Sequence, residues 1–229
     1  MKKGCENMEV IRIQLALFLR DLISRPDKFA ENINQRLNNV FDAMPEILDI
    51  PMDAPPEIPI ARFKSSKVPY LLNVSRMRCD LMISPQEENR FLKIIESRYH
   101  NDFLACIEEA LESNAIARIG IVYSAFEEVK NPCAVISKNY FGNQIGDVDE
   151  LSFRTNKIHM IDDIQVNSIL KVAKGTRKSD KINGIMYTRD VNSSLLSQKD
   201  TGLTKEQVVE ILNFSYAALS DEKFREVER

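Results

Sequence analysis

The residues of this chain best suited to proton transfer are its two histidines, His100 and His159. Two imidazoles can serve as general acid and base when they meet across a cleft, but the spacing of this pair gives no local reason for them to meet. His100 precedes Asn101 and Asp102 in a segment of helical pattern, where a histidine is expected to be solvated. His159 alternates with Ile158 and Met160, so its ring is expected on the other side of a strand from them, and exposed. Acidic side chains occur as the pairs Glu87-Glu88, Glu108-Glu109, Glu127-Glu128 and Asp162-Asp163. A metal ion needs several oxygens converging on one point, and adjacent residues of a helix or strand point apart, so these pairs read as solvated faces. Cys5, Cys79, Cys106 and Cys133 stand at least 27 residues apart, which matches neither zinc-ligand spacing nor a disulfide scaffold. No G-x-x-x-x-G-K-[ST], G-x-G-x-x-G, H-E-x-x-H or G-x-S-x-G occurs, and the 7 glycines are few for a phosphate-cradling loop. No catalytic residue, no metal ligand and no cofactor is therefore predicted.

Binding chemistry has two candidates. In the stretch Arg76 to Ile83, Arg76, Arg78 and Asp80 alternate with Met77, Cys79 and Leu81. On a strand this places both guanidiniums on the polar face, a fork for phosphate or for a partner's carboxylates. The plainer reading is an exposed sheet face whose arginines pair with Asp80 or with acids of the next strand. The second candidate is Lys171, Lys174, Arg177, Lys178 and Lys181 around a hairpin centred on Gly175. It can contact an anion or a nucleic acid, or simply solvate a hairpin tip and blunt a sheet edge. The hairpin has no stacking aromatics, and the chain has no Trp.

The elements that must carry these residues follow from periodicity. Val10 to Leu19 alternates as a half-buried strand. Ser24-Arg25-Pro26-Asp27 opens a helix whose apolar stripe is Phe29, Ile33, Leu37, Val40 and Phe41. Met44 to Pro59 holds five of the 9 prolines, which forbid helix and deny donors to a ladder. Its Met, Ile and Leu side chains predict an ordered, extended connection that docks. Strands are predicted over Ile60 to Lys64 and Tyr70 to Ile83. Ser84-Pro85-Gln86-Glu87 then caps a long helix over 85–113 with a stripe of Phe91, Ile95, Phe103, Ile107 and Leu111. Ile116 to Val129 returns as a strand, and a short helix runs from Asn131-Pro132 to Gly142. Three strands, Glu150 to Ile161, Ile164 to Lys174 and Lys181 to Val191, form an antiparallel set. Thr204 and Gln207 cap a last helix, lined by Val208, Ile211, Leu212, Ser215 and Leu219, and the tail after Ser220 is expected to fray.

This order predicts an α+β protein with an antiparallel sheet and helices on one face, its N-terminal half ferredoxin-like (β-α-β-β-α-β). Residues 1–130 make that split βαβ-like half. Residues 131–229 add the short helix, the three-stranded meander and the final helix, packed with it as one compact unit.

The composition narrows the function classes. The chain has 229 residues, 44% apolar and 28% charged, enough for a sizeable core. A net charge of -3 from 31 basic and 34 acidic residues predicts no strong overall field for nucleic acid or membrane. Lys2 and Lys3 precede an apolar run, but Arg12 and Gln14 interrupt it and no small-residue cleavage site follows. No window approaches the roughly 18 apolar residues of a membrane span. A soluble cytoplasmic protein with reduced cysteines and no membrane partner is expected.

The run FDAMPEILDIPMDAPPEIPIARFKSS, followed by YLLNVSRMRCDLMIS and later by ARIGIVY, resembles a sporadically distributed family of uncharacterised prokaryotic proteins. The likeness lies in length, in the proline-containing loop after the first helix, and in a strand pair whose second strand carries an S-R-x-R-like pattern. It spans roughly the first 130 residues, and the chain departs from it in lacking a proline before the first strand. The resemblance implies an architecture and a prokaryotic origin, and assigns no catalytic residue.

The leading expectation is a non-enzymatic protein-interaction module. Its partner is another protein or a second copy, the homodimer using the proline-rich loop or a sheet edge. A sporadic family implies a setting such as a phage-defence or toxin-neutralising locus. The alternative is a nucleic-acid-binding or RNA-processing protein using a basic sheet face. A continuous basic stripe from Arg76 and Arg78 to Lys171 through Lys181 would mark the alternative. Scattered bases beside an exposed apolar patch would mark the first.

Overall fold

The structure, a computed structural model, describes residues 8–85, 92–177, 180–194, 202–218 and 224–227, with the side chains of 92–98 left out. Nine strands and four helices follow in the order β1 (Met8–Leu19), α1 (Pro26–Arg36), β2 (Glu46–Ile47), β3 (Ala61–Lys64), β4 (Tyr70–Val74), β5 (Arg78–Ile83), α2 (Leu92–Ser113), β6 (Ile116–Glu128), α3 (Pro132–Phe141), β7 (Ser152–Ile161), β8 (Ile164–Thr176), β9 (Asn183–Ser193) and α4 (Lys205–Ala218). The strands form one sheet in the order β2-β3-β4-β5-β1-β6-β9-β8-β7, and every pairing is antiparallel. The α+β class with an antiparallel sheet is thus present.

The period-2 pattern decides which face is covered. Ile13, Leu15, Leu17 and Leu19 are buried on one side of β1, level with Leu81 and Ile83 of β5 and Ile119 and Ile121 of β6. All four helices lie on that side: α1 over β3 and β4, α2 over β1, α3 over β8 and β9, and α4 over β6, β7 and β9. The other side carries Arg12, Gln14, Ala16 and Phe18 of β1 and, among the described residues, no helix.

β1-α1-β3-β4-β5-α2 and β6-α3-β7-β8-β9-α4 share one topology, a lead strand, a helix, a three-strand meander and a second helix. In each half the last meander strand pairs with the lead strand, and the two lead strands, β1 and β6, pair at the centre. Leu15 faces Ile121 there, and around them Arg12-Ile13-Gln14-Leu15 matches Arg118-Ile119-Gly120-Ile121 in pattern. The second run of this topology begins at β6.

The expected β-α-β-β-α-β order is altered because Tyr70 to Ile83 is two strands. Ser75 turns the chain: its N–H donates to the Arg78 carbonyl at 2.7 Å, and its Oγ accepts the Met77 N–H at 3.2 Å. A serine side chain makes the turn without Gly or Pro, so the run reads as one alternating strand. Helix α2 is described from Leu92, with Phe103 and Ile107 fully buried. The Gln86-Glu87 part of its expected cap, Phe91, the side chain of Ile95, and Leu219, expected on the last helix, lie outside the described residues. Gly142 ends α3 in the left-handed region at φ 58°. Thr204 and Gln207 exchange backbone and side-chain bonds at 3.0 and 3.3 Å as the capping box requires. The tail is a correction, because Phe224 is buried against Tyr187 and belongs to the core.

Candidate functional site

Arg76 is not on the strand that was expected to display it. It sits in the β4–β5 turn, and its guanidinium donates to the backbone carbonyls of Met52 (2.8 Å) and Ala54 (2.5 Å). Met77 N–H donates to the Pro56 carbonyl at 3.2 Å, and Leu48 N–H to that of Ile60 at 2.8 Å. Turns closed by Ala54 N–H on Pro51 and Ile58 N–H on Pro55, each at 3.1 Å, complete the fastening of the proline-rich segment. The apolar side chains of this segment do not dock as expected. Met44 is 92% exposed, Met52 84%, Ile47 56%, and Leu48 and Ile58 each 37%. The segment is folded by two turns where an extended run was expected, Arg76 grips its carbonyls, and Met44, Ile47 and Met52 are left in water while Ile50 is half-buried.

Arg78 stays on the sheet, on the helix-free face. It binds Asp80 at 2.8 Å, and Asp80 also accepts from Gln14 at 2.8 Å. The Arg78 guanidinium lies 4.6 Å from the Phe18 ring centre and that of Arg118 lies 5.0 Å from the same ring, a favourable arrangement of cations about an aromatic. Arg118 donates to Asn192 at 2.9 Å. At the β2 edge, Glu46 accepts from Lys64 at 2.5 Å and Arg62 at 3.3 Å, and Lys64 holds its carboxyl below the usual range.

The predicted basic hairpin does not act as one surface. Lys171 and Lys174 lie on opposite faces of β8, and Lys174 reaches the Asp149 carbonyl at 2.6 Å. Arg177 is bonded to Asp180 (2.6 Å) and Glu9 (2.8 Å), lies 3.6 Å from Glu128, and sits above the Phe126 ring. Its hydrogen bonds to Asp180 and Glu9 keep it firmly protonated. Lys181 takes a left-handed φ of 61°, and Lys178 lies outside the described residues. A stripe from Arg76 and Arg78 to Lys181 is therefore not formed: a turn, two ion-paired arginines and a change of face interrupt it.

The histidines are less solvated than expected. His100 Nδ1 is 3.1 Å from the Tyr216 hydroxyl, and the His159 ring packs 4.8 Å from that of Phe214. The alternation on β7 is as read, but its sides are reversed: Ile158 and Met160 are exposed, and His159 faces α4. Residues 214 and 216 project from different sides of a helix, so the two rings are held apart. Of the acidic pairs, Glu109 is buried by Asn32 and Arg36, and Glu108 binds Lys205. Among the described residues no three metal-ligating side chains come together, and no helix is long and apolar enough to cross a membrane.

Sequence reasoning missed a buried polar cluster beneath α3 and the tail. Arg189 on β9 is fully buried, and its Nη2 donates to the carbonyls of Phe224 (3.2 Å) and Glu226 (2.8 Å). Tyr187 donates to Glu127 at 2.8 Å, and Arg225 approaches Glu127 at 3.3 Å. Burial raises the Tyr140 hydroxyl to about 12. The available signal was Arg189 itself, a charge at a position whose alternation is apolar. This cluster has its acceptors within the chain and holds the tail down, while exposed apolar side chains stand on the loop bearing Met44 and Met52, and on β7 at Ile158 and Met160. No family model matches the chain, and no curated protein matches it either.

Proposed function

We propose that the protein is a non-enzymatic interaction module that receives a protein partner, or a second copy of itself, on the proline-rich loop and the β2 edge beside it. One observation carries this reading: the loop is ordered by Arg76 and by its own turns while Met44, Ile47, Leu48, Met52 and Ile58 remain exposed. Exposed apolar side chains carried on one fastened segment suit an association surface, and a segment ordered beforehand loses little entropy on binding. Methionine suits such a surface because its flexible, polarisable chain adapts to a partner. The broken course of the predicted basic stripe favours this reading over a nucleic acid laid along that stripe. The resemblance to a sporadic prokaryotic family adds the proposal of a defence or toxin-neutralising setting.

The test compares the wild type with Met44→Ser/Met52→Ser, exposed changes that leave the core untouched. Light scattering at micromolar concentration and affinity capture from native lysate are run on both. A dimer, or a defined captured protein, that is present for the wild type and lost in the variant supports the reading. A wild-type mass near 26.3 kDa together with the same captured proteins for both chains defeats it.

A further inference from the structure

The helix-free face of the sheet carries a row of cations that the sequence pattern hides, because its members lie on three distant strands. Pairing register sets Arg12 (β1) opposite Ser124 (β6), Ser124 opposite Thr188 (β9), Thr188 opposite Lys171 (β8), and Lys171 opposite Arg154 (β7). These five residues form one line across five adjacent strands. With neighbouring strands about 4.8 Å apart, the line is roughly 19 Å long. Arg12, Lys171 and Arg154 are exposed, and among the described residues none of the three has a hydrogen-bond or ion-pair partner. On the same face Asp80 is paired with Arg78, Glu46 with Lys64 and Arg62, and Glu9 and Glu128 lie beside Arg177, while Asp190, two residues along β9 from Thr188, accepts from the neutral amide of Asn192. Three exposed cations without a partner among the described residues thus stand along this line, with the half-buried Thr188 between Arg12 and Lys171 and Ser124 buried beneath it.

We propose that this row binds the phosphate backbone of a double-stranded nucleic acid without reading its bases. Exposed arginine and lysine side chains are the groups that most often contact phosphate oxygens, and the row matches the length of about six base pairs at 3.4 Å each. The choice of a duplex over a single strand follows from the aromatics. Single strands are held by bare rings on which bases stack, but Phe18 has guanidiniums over it and Phe126 is buried beneath Arg177. The row is separate from the proline-rich loop, so the two proposals stand or fall apart.

The test is fluorescence anisotropy of a labelled 20-base-pair DNA duplex of mixed sequence, titrated with the full chain at several salt concentrations. Three phosphate contacts predict a log–log salt slope of about -2.7, equivalent to about 40-fold weaker binding at 200 than at 50 mM salt. Arg12→Gln/Arg154→Gln/Lys171→Gln abolishes the binding, each single change reduces the slope by about 1, and Arg12→Lys/Arg154→Lys/Lys171→Arg retains it. Lys174→Gln, beyond the row, leaves it unaltered. Absence of duplex binding at 50 mM salt, unchanged binding by the triple glutamine variant, or tighter binding of the matching single strand overturns the proposal.

Discussion

Arg189 and Phe224 hold the end of the chain to the sheet: the buried guanidinium donates to the Phe224 carbonyl at 3.2 Å while the Phe224 ring packs 6.4 Å from that of Tyr187. Truncating such a ring leaves a cavity, and Phe224→Ala is expected to lower stability by about 3–5 kcal/mol. Deleting residues 219–229 goes further, because it also removes two carbonyl acceptors from a buried cation. Urea unfolding checks both; midpoints equal to the wild type would show that the tail is not part of the core.

Gly184 has no room for a side chain. A Cβ there would stand 2.2 Å from the Glu127 carbonyl oxygen and 2.5 Å from the Phe126 ring, whereas at Gly146 nothing lies within 4 Å. Gly184→Ala is expected to cost about 3 kcal/mol or more through forced backbone displacement, and Gly146→Ala to stay within about 0.5 kcal/mol of the wild type. Thermal unfolding of the two variants side by side decides it, and equal losses would refute the close approach.

Asp102 accepts the Tyr70 hydroxyl at 2.6 Å, and burial raises its carboxyl above the ordinary 3.8 while the Tyr70 bond acts the other way. The folded chain then keeps a proton that the unfolded chain releases. This contribution to stability is whole below the ordinary value and is lost as pH rises through the folded one. Asp102→Asn removes the titration and keeps an oxygen for Tyr70. The variant should therefore gain on the wild type as pH rises from the ordinary carboxylate value, until the folded carboxyl has ionised; parallel stability curves from there to neutral pH would contradict the assignment.

Arg76→Ala removes both bonds that fasten the loop at Met52 and Ala54. A loss of roughly 1–3 kcal/mol is expected for charged donors to carbonyls, with faster proteolytic nicking between residues 48 and 58. Lys, with a single ammonium in place of the fork, should restore this only in part. Nicking at the wild-type rate would mean the prolines alone order the segment.

Much of the architecture was legible because one face of the sheet is buried: the alternation of β1 and β6 to β9, the proline that opens α3 and the capping box of α4 all appear in the residues. The β4–β5 turn was not, since Ser75 supplies the closing bonds without a turn residue that breaks the pattern. His159 illustrates a deeper limit. Alternation tells which residues share a side, but the helix that covers a side is set by the whole chain, so Ile158 and Met160 stand in water and His159 does not. The row Arg12, Lys171 and Arg154 was invisible for the same reason, as register between strands over 100 residues apart is written in no local spacing. Arg76 failed in another way: carbonyl acceptors belong to every residue, so the side chain that will grip them cannot be told from one that is free.

The pairing of the two lead strands has a consequence for the chain as it is made. By residue 83 the meander β3-β4-β5 can close on β1, but the other edge of β1 stays open until Ile116–Glu128 follows. A half-synthesised chain therefore ends its sheet on the strand Ile13-Gln14-Leu15-Ala16-Leu17, which is apolar and unpaired. The β6 of a neighbouring nascent chain meets that edge in the same register as its own. Two copies emerging side by side can therefore pair β1 of one with β6 of the other, an exchange of halves that opens the Asp21–Asn114 and Arg20–Ala115 bonds at the connection and keeps the sheet pairing.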